Sequence, residues 1–188
     1  MEAILQAATQ VLAREGVQRF TTARVAEAAG VSIGSLYQYF PNKAALLFRL
    51  QCAEWQETSD MLSAILQDRT MSTEARLRKL VMAFIHSEYE EAATRSALAD
   101  AAPLYRSAPE AQQVKAAGSR VFLDFIQEAL PELAENKRSI AANLLLTTFR
   151  DVGKSLSVQC CSHEEIDAYA EQMATMFCAY LNVLEQNR

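Results

Sequence analysis

The chain has 188 residues, 51 % of them apolar and 22 % charged, with a net charge of −5. Five Gly and four Pro are too few for the turns a strand-rich fold needs, while 32 Ala favour helix, so sandwiches, barrels and doubly wound sheets give way to an all-α fold. Taken whole the charge speaks against nucleic acid, but residues 1–50 carry five basic and three acidic side chains and residues 51–188 thirteen and twenty, which predicts a mildly basic head on an acidic body.

The first predicted helix, Ala3 to Glu15, gathers Ile4, Ala7, Ala8, Val11 and Leu12 on one face and stops at Gly16. Thr21 and Thr22 are N-cap types for a second helix, Ala23 to Ala29, which Gly30 ends. Ser32 opens a short third helix, Ile33 to Tyr39, and Pro41-Asn42 starts a long fourth with Leu46, Leu47, Leu50, Ala53, Met61, Leu62 and Ile65. Ser72 or Thr73 caps a fifth helix carrying Leu77, Leu80, Val81, Phe84 and Ile85. A short piece over 94–101, a loop with Pro103, a helix from Pro109 to Leu130 halted by Pro131, and long helices over 136–158 and 164–185 complete nine. Gly118 and Gly153 lie inside helices, where they are expected to mark close packing or a bend.

No apolar run reaches the roughly 18 residues of a membrane span. The start has no basic region ahead of an apolar one, and the four cysteines lack the density of a disulfide scaffold, so a cytoplasmic protein is expected. Cys160-Cys161 beside His163 lacks the spacing of a zinc site and reads as incidental. No nucleophile elbow or glycine-rich phosphate loop follows a strand, so no enzyme, metal or cofactor is expected.

Residues 22–43 read as helix, four-residue turn with Gly, helix: a helix-turn-helix. Val25, Ala26 and Ala29 face Val31, Leu36 and Phe40 across the turn. The rest of the second helix is small or hydrogen-bonding and free of acid: Ser32, Gly34, Ser35, Tyr37, Gln38 and Tyr39. A helix entering a major groove must offer donors to bases and phosphates without repelling them. Gly34 costs about 1 kcal/mol relative to Ala inside a helix, and its use is close approach to another surface. Lys43, at the start of the fourth helix, brings a cation to the positive end of a helix dipole.

Thr22, Val25-Ala26, Ala29-Gly30-Val31-Ser32, Gly34, Leu36-Tyr37, Tyr39-Phe40, Lys43 and Leu46-Leu47 together resemble the tetracycline-repressor (TetR) family of bacterial transcriptional regulators. The likeness covers residues 3–50 and, beyond them, only length and helix count. It implies a nine-helix, two-domain regulator, with a DNA-binding domain over residues 1–48 and a ligand-binding and dimerisation domain over 49–188. It further implies a cytoplasmic homodimer, a repressor released from a pseudo-palindromic operator by a small molecule. The alternative is a helical ligand-binding or interaction protein of the same fold that binds no DNA. By the same resemblance Thr22, Tyr37, Tyr39 and Lys43 contact phosphates, Ser32 caps the recognition helix, Gly34 and Ser35 approach the groove, and Gln38 reads a base or rests on a phosphate. Many relatives carry a basic arm before the first helix, and here the chain starts almost on that helix, so arm contacts are not expected.

In the body, Met82, His86 and Tyr89 follow one another at i, i+4 and i+7, and with Trp55, Tyr105, Phe122, Phe125, Phe149 and Arg150 they are candidates for a ligand pocket. Core packing is the plainer reading for each taken singly. The final helix carries an apolar band (Ile166, Tyr169, Ala170, Met173, Met176, Phe177, Tyr180, Leu181, Leu184) too wide for a helix packed on one side. Ile140, Leu144, Thr148 and Val152 on the preceding helix, with Tyr169, Met173, Phe177 and Tyr180, are the candidate dimer surface.

Overall fold

Caps and apolar spacing place eight α-helices and no strand among the described residues of the structure, a computed structural model describing residues 1–92, 95, 98, 108–159 and 161–186. They are α1 (Glu2–Arg19), α2 (Thr22–Ala28), α3 (Ile33–Tyr39), α4 (Lys43–Gln67), α5 (Thr73–Glu90), α6 (Pro109–Ala129), α7 (Glu135–Ser157) and α8 (His163–Gln186). Most of the expected short piece over 94–101, with the Pro103 loop, Tyr105 and Cys160, lies outside the described residues. Side-chain caps stand where Ser, Thr and Asn predict them. Ala45 N–H donates to Asn42 Oδ1 at 2.8 Å and Ala75 N–H to Ser72 Oγ at 3.2 Å. At α8 the cap is reciprocal: Glu165 N–H donates to Ser162 Oγ and Ser162 N–H to the Glu165 carboxylate.

The chain divides into two compact units, Met1–Glu57 with Ala93–Val114, and Thr58–Ala92 with Lys115–Arg188. In the first, α1 breaks at Gly16 (φ 70°, ψ 171°) and resumes for one turn instead of ending there. That extra turn delivers Phe20 into full burial beside Val25, Leu36, Leu46 and Leu47. Each such side chain contributes about 1.5–3 kcal/mol by leaving water, enough to hold three short helices that would not persist alone. Leu98 is buried in the same cluster.

In the second unit α5 is the central element, packed against α7 and α8. Leu77, Leu80, Val81 and Ile85 meet Ile166, Ala170, Met173, Ala174, Phe177 and Leu181 in one core. Gly153 is a close approach: a Cβ there would stand 2.6 Å from Phe84 Cε1. Its absence lets Phe84 stack on Phe149 with ring centroids 3.9 Å apart. Arg76 is buried yet well bonded, donating to Leu66 O at 2.7 Å and to Glu128 Oε1 at 2.6 Å, with the Phe125 ring 5.4 Å away. It thereby satisfies a carbonyl at the end of α4, a group the helix itself leaves without a partner. Its Nε has no partner among the described residues.

Candidate nucleic-acid interface

Three local signals build the helix-turn-helix. The Thr21 hydroxyl accepts from Arg24 N–H at 3.3 Å and starts α2. Gly30 adopts φ 67° while Gly30 N–H bonds Glu27 O and Val31 N–H reaches back to Ala26 O, closing the C-terminus as a Schellman turn. Two residues later Ser32 Oγ accepts from Ser35 N–H at 3.0 Å and starts α3. Leu36 and Phe40 then turn inward against Val25 and Ala26, all four buried. Ala29 and Val31 pack at the edge of the same cluster.

What α3 leaves outside is Ile33, Gly34, Tyr37, Gln38 and Tyr39, with Ser35 half-buried. Tyr37 is 48 % and Tyr39 55 % exposed, so neither ring is spent on the core. The Tyr37 and Thr22 hydroxyls meet at 3.1 Å, joining the start of α2 to α3 and leaving both oxygens near the surface. Gly34 needs no room inside the chain, because a Cβ there would meet only Ser32 Oγ at 3.7 Å. Lys43, half-buried, holds its Nζ 5.7 Å from the centre of the Phe20 ring. Ile33, at the N-terminal end of α3 and exposed, was absent from the expected contact set. Its apolar type drew no attention in sequence, although a groove reader can use such a side chain against a thymine methyl.

The electrostatics separate this region from the rest of the chain. First turns of helices favour carboxylates because the dipole is positive there. Glu2, Glu74, Glu110, Glu135 and the Glu164/Glu165 pair occupy the first turns of α1, α5, α6, α7 and α8. The first turns of α2, α3 and α4 hold none. Residues 28–53 contain no acidic side chain at all, and Glu15 nearby is neutralised by Arg24.

Of the nine candidate pocket residues, three share a cavity. Phe122, Phe149 and Arg150 line a cavity of about 90 Å³ in the second unit. Phe125 faces Arg76, and Met82 packs at the edge of the main core. His86 Nε2 is 2.8 Å from Asp167 Oδ1, and the Tyr89 hydroxyl donates to Cys161 O at 2.8 Å. Trp55 belongs to the first unit, against Phe48, Cys52 and Ala108, and Tyr105 lies outside the described residues. The wide band of α8 splits in two. Met173 and Phe177, expected on the dimer surface, are core residues, since they face α5. Tyr169, Met176 and Val183 are exposed and Tyr180 half-buried. On α7, Ile140 and Leu144 are 65 % and 52 % exposed, with Thr148 and Val152 half-buried one and two turns on.

Residues 4–50 match the model described as "Bacterial regulatory proteins, tetR family", and residues 72–184 match "Tetracyclin repressor-like, C-terminal domain". Among curated proteins, the nucleoid occlusion factor SlmA of Photobacterium profundum is 37 % identical over 86 residues, 44 % of each chain. That of Yersinia enterocolitica is 42 % identical over 84 residues, 43 % of this chain and 41 % of the other. The match thus spans less than half the length of these relatives. Among solved structures, the fatty acid degradation regulator FadR of Bacillus halodurans superposes with a TM-score of 0.63 at 20 % identity, covering 94 % of this chain and 96 % of that one. Thermus thermophilus FadR in complex with lauroyl-CoA gives 0.65 at 16 % identity, covering 96 % and 92 %. These two share the fold.

Proposed function

The chain belongs to the tetR family of bacterial regulatory proteins, and from that premise we propose that it is a homodimeric, DNA-binding transcriptional repressor released from its operator by a small molecule. The observation that carries the DNA reading is the run of three successive helices, α2 to α4, whose first turns lack carboxylates while every other described helix has one. A surface with that pattern keeps carboxylates away from three helix starts and offers dipole ends and Lys43 to a phosphate. Thr22, Ser32, Tyr37, Tyr39 and Lys43 hold the backbone, Gly34 and Ser35 let α3 seat closely, and Gln38 and Ile33 face base edges.

Two copies joined along the exposed stripes of α7 (Ile140, Leu144, Thr148, Val152) and α8 (Tyr169, Met176, Tyr180, Val183) form an isologous pair, which demands a two-fold operator. Successive major grooves require recognition helices about 34–36 Å apart. Because α4 contributes residues 43–57 to the first unit and 58–67 to the second, an effector displacing its later turns has a covalent route to its earlier ones. Coupling of this kind amounts to about 1–3 kcal/mol. A gel shift with DNA from upstream of the chain's own gene tests the reading: a salt-sensitive shift is expected, and no shift at any salt favours a helical ligand-binding protein without DNA affinity. In sedimentation, the native chain is expected to run as a dimer at micromolar concentration and Ile140→Asp/Met176→Asp as a monomer.

A further inference from the structure

The following rests on the effector reading. Within the second unit, α4, α5, α6 and α7 line a half-open cavity of about 90 Å³ whose wall is mostly apolar, with Leu80, Phe84, Phe122 and Phe149 on it. Arg150, exposed at its rim, is the one charged side chain lining it among the described residues. Its Nη2 donates to Ser119 Oγ at 3.1 Å. Arg69, Arg76 and Arg78 of the same unit pair with carboxylates and Arg138 donates to the Leu130 and Pro131 carbonyls, whereas the partner of Arg150 among the described residues is the single Ser119 hydroxyl.

We propose that this cavity is the effector site and that it takes a small monocarboxylate, its chain of about three to five carbons inside and its carboxylate on the Arg150 guanidinium. The chemistry of each end argues for it. An apolar wall leaves a polar ligand's hydrogen bonds unmade, which rejects sugars and polyols. A planar guanidinium with donors to spare matches a carboxylate bidentately. One cation suits a single negative charge better than a phosphate carrying nearly two. Size sets how much of the chain is covered: a dry cavity of about 150 Å³ holds benzene's six carbons, so 90 Å³ covers about four, and carbons beyond these lie in solvent and add little.

The test is titration calorimetry on the full chain, without DNA, using butyrate, pentanoate, dodecanoate and butyramide. Butyrate and pentanoate are expected to bind, and the neutral amide to bind at least tenfold more weakly. Arg150→Gln should erase that preference while keeping the native circular dichroism, and Arg150→Lys should restore part of it. Absence of binding by the short acids, dodecanoate binding at least tenfold more tightly than pentanoate, or an acid preference surviving in Arg150→Gln would each overturn the proposal. The release reading is scored separately in the gel shift. Butyrate binding to a chain whose operator complex it fails to dissolve leaves the site in place and removes the release mechanism.

Discussion

The two units differ in where they place carboxylates. In the first, the helices that carry the proposed DNA face keep carboxylates away from their first turns and leave polar side chains pointing outward. In the second, helix starts carry acids and several charges pair within the chain: Arg76 and Arg69 on Glu128, Arg78 on Glu74 and Glu171. A helix start without an acid forgoes about 0.3–1 kcal/mol of dipole stabilisation. Forgoing it three times in succession makes sense where a partner supplies the negative charge. Ion pairs serve cohesion in both units, Arg24–Glu15 and Arg95–Glu54 in the first among them, and what sets the first apart is the acid-free helix starts of its proposed DNA face.

That contrast is breakable by substitution, and the largest effect belongs to the second unit. Arg76→Ala removes a buried guanidinium that serves a helix end and a carboxylate. It should cost about 3 kcal/mol, somewhat less than a fully buried pair because Glu128 is partly exposed. Thermal unfolding should register this as a fall of roughly 6–12 °C, with the DNA affinity of the folded protein unchanged. Lys43→Ala should do the reverse: DNA binding about tenfold weaker on all sequences, a salt dependence shallower by about one ion, and little stability lost. An unaltered salt slope would take Lys43 out of the interface.

Smaller in size but sharper in logic is Gly34→Ala. Nothing within the chain needs the missing side chain, so the variant should gain about 0.5–1 kcal/mol of stability while losing DNA affinity. Chemical denaturation read beside a gel shift checks it, and affinity rising with stability would show that Gly34 serves no outside surface. The smallest effect expected is in acid. Arg76 holds the Glu128 carboxyl below the usual carboxylate range, as the Ser162 backbone N–H does for Glu165 and the Thr70 hydroxyl for Asp68. A depressed native pKa stabilises above the unfolded value of about 4.3 and ceases to do so as pH falls through the native one. All three groups lie in the second unit and the single Trp55 in the first. Helical circular dichroism should therefore begin to fall at a higher pH than tryptophan fluorescence changes.

The head was legible because its signals are local. Capping hydroxyls, two glycines and an inward pair of apolar residues each act within a few positions of one another. Phe20 escaped notice because it follows a glycine that looks like a stop, and only the turn resumed after Gly16 shows where the ring goes. The long helices resisted for another reason. A band of nine apolar residues on α8 covers an arc of about 140° at about 100° per residue, wide enough that sequence cannot tell its core face (Met173, Phe177) from its outer face (Tyr169, Met176). Arg76 could not be anticipated, since its burial depends on Glu128, 52 positions away, and on the end of α4. The pocket candidates suffered most: aromatic type predicts burial, and burial alone does not say beside which cavity.

The placement of Leu98 within the first unit's core bears on how such regulators are recombined. A chimera built by one cut after α3 transfers the recognition helix but leaves that core short of a leucine contributed from far along the chain. Grafting this head onto a foreign sensor calls for three splice points, with the stretch around residue 98 travelling alongside the first 57 residues. A single-cut chimera should express as a less stable protein with unchanged operator preference.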